Sequence, residues 1–389
     1  MKICLYFQVH QPFRLIDYSF FNIGRNHFYE NAGLNQSILN KVADNCYIKA
    51  NEILLELISK HKEDFKVNFS ISGVAIEQFE RYRPDVLKSF QKLANTGNVE
   101  FLAETYYHSL SFLYSLDEFK FQVEKHRDKI KKLFNQTPEV FRNTELIYND
   151  ELALAAKNLG FKGILAEGVD WILKGRSPQS LYKIPEGKNF KCLLRNYELS
   201  DDISFRFSDK NWIEYPLTVK KFVDKVLKIS DGDILNLFMD YETFGEHQKK
   251  EAGIFEFLEK MPEALIKQGL SFGNAKEIIE LYPANDTYSS KEFTSWADSE
   301  RDLSAWLSNS MQYEALHKIY AIRDEILAIK NAELTEVWSK LQTSDHFYYM
   351  CTKYWMDGDV HQYFSPFNSP YDAYIFYMNI LSDLELTLK

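Results

Sequence analysis

The chain has 389 residues, 45% hydrophobic and 26% charged, with a formal net charge of −10. That composition suits a soluble globular protein with room for one large domain and an appendage. The acidic balance, with no basic patch, argues against nucleic acid or an anionic membrane as the main partner.

Residues 3–9 read as a buried strand that ends in His10-Gln11-Pro12. Only Lys2 lies ahead of the apolar run and no small-residue cleavage site follows it, so this is a first strand and not a signal peptide. Residues 13–36 form an aromatic and polar loop. Over 40–60, Ile48, Ile53, Leu54, Leu57 and Ile58 are spaced for one helix face. A second strand over 67–71 precedes Gly73 and Glu77-Gln78. A helix over 84–95 stops near Gly97, and a third strand over 99–103 ends at Glu104. A helix over 116–134 leads to a fourth strand over 139–142, followed by Asn143-Thr144-Glu145. The next helix, over 150–159, has Gly160 in the capping place. A fifth strand over 161–166 delivers Glu167, and a sixth over 191–195 leads to Asp201, Asp202 and Arg206. After a helix over 217–229, a seventh strand over 234–239, apolar except for Asn236, ends at Asp240, with Glu242, Glu246 and His247 close behind. A helix over 254–268 completes the pattern.

Seven alternations of strand and helix predict an α/β architecture with a parallel sheet closed, or nearly closed, into a barrel. Beyond about residue 282 the pattern is helical only, over 302–329, 334–350 and 370–388, with no further strand. We therefore expect a barrel domain over 1–285 and a helical domain over 286–389. No run of about 18 apolar residues occurs, so no membrane span is expected. Cys4, Cys46, Cys192 and Cys351 lie far apart with no CxxC spacing, which fits reduced thiols and a cytoplasmic location. In 355–361, Asp357-Gly358-Asp359 has a calcium-loop spacing, but Gly358 is misplaced and no acid closes a twelve-residue loop.

The tips of barrel strands converge on one face. Glu77, Glu104, Glu145, Glu167 and Asp240 would thus line an acidic pocket. Two carboxyl groups flanking a glycosidic bond can cleave it without a cofactor, one ionised and one carrying a proton. Glu104 and Asp240 are the best pair, because each ends a strongly apolar strand. The alternatives are a helix-capping Glu104 and an Asp240 paired with a lysine. His10 suits a sugar-hydroxyl contact or a structural hydrogen bond. His10, His108, His247, Asp240 and Glu242 could in principle ligate zinc, but no HExxH or HxH is present. Aromatics make up 15% of the chain, and Tyr106, Tyr107, Trp296 and Trp306 are either sugar platforms or core.

Five stretches in order carry a more specific signal: Tyr6 to Pro12 (YFQVHQP), Gly73 to Gln78 (GVAIEQ), Ala103 to His108 (AETYYH), Met239 to His247 (MDYETFGEH) and Trp296 to Trp306 (WADSERDLSAW). Together they resemble the ordered sequence regions of glycoside hydrolase family 57, most closely its α-amylase-like branch; residues 345–350 and 355–370 resemble that branch too. The resemblance implies an incomplete parallel (β/α)7 barrel followed by a C-terminal helical subdomain. It implies a retaining hydrolase of α-1,4-glucans such as glycogen, starch or maltodextrins, with Glu104 as nucleophile and Asp240 as acid/base. It places His10, Glu77, Glu242 and Asp302 along the sugar-binding site, to which the residue reading adds Trp296 and Trp306 as candidate platforms, and it implies catalysis without a metal, with no cofactor expected. A 4-α-glucanotransferase is the alternative within the family; the chain lacks room for the larger C-terminal additions of such enzymes, but length alone does not exclude transfer. A glucan-binding regulatory protein with little turnover is the alternative outside catalysis. Retention predicts a carboxyl separation of about 5–5.5 Å. The charge of Glu242 is expected to help keep the proton on Asp240.

Overall fold

The computed structural model describes residues 1–353 and 365–388. Seven parallel strands form the barrel: β1 Lys2–Val9, β2 Val67–Ile71, β3 Val99–Phe101, β4 Val140–Arg142, β5 Gly163–Glu167, β6 Lys191–Arg195 and β7 Ile234–Asp240. Two hydrogen-bonded arcs make the ring, one in the order β3-β2-β1-β7 and the other β6-β5-β4. They meet at two seams. At one, Ala103 pairs with Phe141 in a single bridge, and Arg142 N–H donates to the Ala103 carbonyl at 2.8 Å. At the other, Asn196 N–H donates to the Asn236 carbonyl at 2.9 Å, and the Asn236 amide donates to the Leu194 carbonyl at 2.8 Å. The barrel is thus incomplete in its hydrogen bonding at these seams. Asn236, the one polar residue ahead of Asp240 in β7, stitches one of them.

Alternation along β1 sorts its side chains. Leu5, Phe7 and Val9 join the core between barrel and helices, whereas Cys4 and Tyr6 pack in the interior with Leu102, Val140, Leu165, Leu193 and Phe238. By the same period of two, Gln8 follows Tyr6, Arg142 follows Val140, and Asp240 follows Phe238 at the mouth. Polar side chains therefore cap an apolar interior at the C-terminal ends of the strands, where barrel enzymes place their chemistry.

Helical periodicity locates most outer helices well. The helix Leu116–Phe134 has the bounds its pattern predicts, and Asp150–Asn158 ends with Gly160 at φ +85°. Downstream the structure corrects the expectation of helices alone. Ala284–Thr287 is a strand parallel to Leu181–Lys183, which runs antiparallel to β6, and Ser271–Phe272 extends the pairing of β1. These pieces are two to four residues long, too short for alternation to register. The helix expected from residue 302 begins only at Ser310, where the Asn309 side chain accepts from Gln312 N–H as an N-cap. The helices Ser310–Ala321, Ala332–Lys340, Ser344–Tyr348 and Pro370–Leu386 share one core with β4, β5 and β6, in which Phe141, Ile164 and Leu194 meet Leu316, Trp338, Phe347 and Ile380. All four cysteines are buried and none forms a disulfide. No helix among the described residues is long and apolar enough to cross a membrane. The 355–361 segment lies outside the described residues.

Candidate active site

Glu104 follows the Ala103 bridge and is completely buried. Its Oε2 is 2.8 Å from His108 Nδ1, and its Oε1 accepts from the Gln8 amide at 3.2 Å. Its backbone N–H donates to His126 Nδ1, whose ring is held in turn by the Ile71 carbonyl. Burial disfavours the Glu104 charge. The His108 hydrogen bond and the charges of His108 and Arg142 outweigh it and hold the carboxyl at about 2. The group is therefore an anion at any working pH.

His108 is a bridge. Its Nε2 lies 2.8 Å from Glu145 Oε1, so one imidazole spans two carboxylates. Burial opposes its protonation, but the two acids raise it to about 9, and it carries a positive charge at neutral pH. His108 and Glu145 both hold left-handed backbone, at φ +52° and +55°, a cost that non-glycine residues bear where side-chain placement matters. The His10 ring stacks on His108 with centroids 3.9 Å apart. Burial and the neighbouring His108 charge lower the pKa of His10, so it is the neutral partner. In that state Nε2–H donates to Asp345 at 2.8 Å and Nδ1 accepts from the Ser72 hydroxyl at 2.7 Å.

Asp240 ends β7 directly opposite Gln8 in the β1–β7 register. The Gln8 amide that reaches Glu104 therefore stands on the strand beside Asp240. Among the described residues no side chain hydrogen-bonds the Asp240 carboxyl. Burial and then the charge of Glu145 push it up to about 7, against Arg142, His108 and Arg195. The site thus holds one carboxyl far below its ordinary value and one far above it.

Glu242 accepts from the Tyr47 hydroxyl and from the Gln11 amide. Burial and then the Asp240 charge raise it to about 8. Glu242 and Asp240 thus oppose each other's charge, and the largest charge raising Asp240 is that of Glu145. Tyr47 ends the π-helical segment Ala43–Tyr47, which packs closely against Gly245. A Cβ at Gly245, where φ is +109°, would lie 2.0 Å from the Asn45 carbonyl oxygen.

The region ahead of the C-terminal helices adds Trp296. Its indole N–H donates to Glu145 Oε2 at 2.7 Å, and its ring is flanked by Arg142 at 4.9 Å and Arg195 at 5.6 Å. Arg195 also donates to the Phe238 carbonyl, Glu167 and Asp201. Among the described residues no three His, Cys, Asp or Glu side chains form a group that could hold a metal ion.

Two carboxyls of opposed ionisation at the mouth of a seven-stranded barrel are what glycoside cleavage requires. Residues 4–291 match glycosyl hydrolase family 57. The chain belongs to glycosyl hydrolase family 57. It is a glycosidase. It is 46% identical to a provisionally named alpha-amylase of Methanocaldococcus jannaschii, over 100% of this chain and 85% of that protein. Two solved structures share the fold at low identity. The alpha-amylase AmyC from Thermotoga maritima has a TM-score of 0.64 at 14% identity, covering 100% of this chain and 93% of that one. The 4-alpha-glucanotransferase from Thermococcus litoralis has a TM-score of 0.68 at 16% identity. That match covers 89% of this chain but only 56% of the transferase, so the chain spans little more than half of that protein.

Within this family member, the structure brings together Glu104, His10, Trp296 and, through the β1–β7 register, Asp240, with Glu242 on the turn that follows. Other expected residues have partners of their own. Glu77, on the helix Gly73–Tyr82, accepts from the Tyr106 hydroxyl at 2.8 Å and pairs with Lys340 at 3.3 Å, not with the two central carboxyls. Asp302 Oδ1 accepts from the Ser304 N–H at 2.7 Å and from its hydroxyl. Trp306 is 2% exposed and packs near Tyr348 in the core, so the platform reading of this residue gives way to the core reading. Sequence reasoning overlooked Gln8 and Arg142. The period of two that marks Asp240 marks them equally. Tyr47 and Asp345 arrive from distant helices, and no local pattern assigns them to the site.

Proposed function

We propose that this glycosidase cleaves α-1,4-glucosidic bonds of glycogen, starch or maltodextrins with retention of configuration. The observation that carries the reading is the opposed ionisation of Glu104, at about 2, and Asp240, at about 7. A Glu104 oxygen attacks the anomeric carbon as the bond to the leaving oxygen breaks, and Asp240 gives its proton to that oxygen. Asp240 then takes a proton from water, the water oxygen attacks the anomeric carbon, and Glu104 is released. Gln8 and His108 fix the two Glu104 oxygens, so the attacking group is oriented before substrate arrives. His10, Glu242 and Trp296 contact the sugar, with Glu77 and Asp302 further out. The relatives' names support the α-glucan substrate. The four buried free thiols support a cytoplasmic enzyme; on this reading it works without a cofactor, with a barrel domain over 1–285 and a helical domain over 286–389.

The test is a panel of maltooligosaccharides, starch and glycogen, with reducing-end release measured and the anomer formed first read by NMR. The reading expects new α-anomeric ends from the wild type. It also expects a fall of several orders of magnitude in Glu104→Gln, which keeps the shape and removes the nucleophile. Early longer oligosaccharides from maltopentaose would instead identify a glucanotransferase. Binding without any release over hours would identify a glucan-binding protein.

A further inference from the structure

Arg142 ends β4, and its side chain is completely buried. Nε, Nη1 and Nη2 all lack a hydrogen-bond partner among the described residues. A buried guanidinium without partners is costly, because each N–H has given up water. Where Arg142 stands makes this informative. The Ala103–Phe141 bridge sets Glu104 and Arg142 level on adjacent chains. Yet the neighbouring acids do not take its protons. Glu104 is engaged by His108 and Gln8, and Glu145 by His108 and Trp296. The indole of Trp296 lies against the guanidinium, 4.9 Å from Cζ to the ring centroid, and a ring face accepts none of its N–H groups in an ordinary hydrogen bond.

At the same mouth, the carboxyl of Asp240 also has no side-chain hydrogen bond among the described residues. Among the described residues the Arg142 donors and the Asp240 carboxyl are therefore unpaired in one polar layer, beside Glu104. A sugar ring offers what the guanidinium lacks: neutral hydroxyl oxygens that accept hydrogen bonds and bring no competing charge. A second carboxylate or a phosphate would suit one arginine, but Glu104 and Glu145 beside it disfavour an anion.

We propose that Arg142 is a substrate-binding residue whose guanidinium donates to a hydroxyl of the glucosyl unit seated between Glu104 and Asp240. This rests on the α-glucan reading above. The contact positions that unit for attack by Glu104. It selects sugars bearing a hydroxyl at the contacted position, since a deoxy sugar leaves the buried cation unsatisfied.

The experiment compares kcat/KM for aryl α-maltosides and their analogues lacking the 2-, 3- or 6-hydroxyl of the glucosyl unit that is transferred, in wild type, Arg142→Met and Arg142→Lys. For one of the three hydroxyls, deletion should cost the wild type roughly 10- to 100-fold, the worth of a hydrogen bond to a charged group. The same deletion should cost Arg142→Met less than about threefold, with Arg142→Lys between the two. Equal discrimination in wild type and both variants at all three positions overturns the proposal. Should Arg142→Met not fold, the comparison with Arg142→Lys decides in the same way. A wild type that turns over no α-maltoside would overturn the α-glucan reading itself, whereas turnover with unchanged discrimination would overturn only the role of Arg142.

Discussion

His10 Nε2 lies 2.8 Å from Asp345 Oδ2, so the first strand-end residue of the barrel is held by a carboxylate 335 residues later. Burial disfavours the charge of Asp345, but the His10 interactions hold its carboxyl well below the ordinary range. The helical region thus completes the site. It orients His10, which stacks on the His108 that grips Glu104. Asp345→Asn should retain the fold and lose the charge that fixes the His10 ring. We expect kcat/KM on maltooligosaccharides to fall about 10- to 100-fold, the range for a charge-assisted hydrogen bond. Steady-state kinetics beside a circular-dichroism melt check this, and unchanged kinetics would mean that His10 needs no such support.

The pH profile follows from the two central carboxyls. The competent state has Glu104 ionised and Asp240 protonated, so it is populated above about 2 and below about 7. Activity should decline as pH rises through about 7, while the acid limb lies below the range of ordinary assays. The sign of one variant is also fixed. Glu145 raises Asp240, so Glu145→Gln should lower the Asp240 pKa and move the alkaline limb to lower pH. A limb that stays in place or moves upward contradicts this assignment.

Trp306 separates a packing role from a sugar platform. As a core residue at 2% exposure, its change to Phe should lower stability by roughly 1–3 kcal/mol through the cavity left behind. KM for maltooligosaccharides should remain within about twofold. A thermal melt and a KM determination test both halves; a large rise in KM with an unchanged melt would restore the platform role.

The architecture was legible in the sequence because its signals are local. Apolar runs such as Leu235 to Met239 alternate with helical periodicity, and each run hands over to a polar tip. Glu104 and Asp240 could be singled out because both obey that rule. What gives them opposed ionisation is only partly local. Glu104 is held ionised chiefly by His108, four residues on, while Gln8, almost a hundred residues back, fixes its other oxygen. Asp240 is set by the charge of Glu145, from a different βα unit. The hydrogen bond of Glu242 to Tyr47 is equally remote, since Tyr47 comes from a helix almost two hundred residues earlier. Short strands such as Ala284–Thr287 escaped because four residues show no usable period.

The most direct test of the central claim is to trap the glycosyl-enzyme. Wild-type protein incubated with 5-fluoro-α-glucosyl fluoride, digested and read by mass spectrometry should carry one fluoroglucosyl adduct on the peptide containing Glu104, and Glu104→Gln should carry none. A reaction that proceeds with inversion, or an adduct on any other carboxylate, would contradict the account.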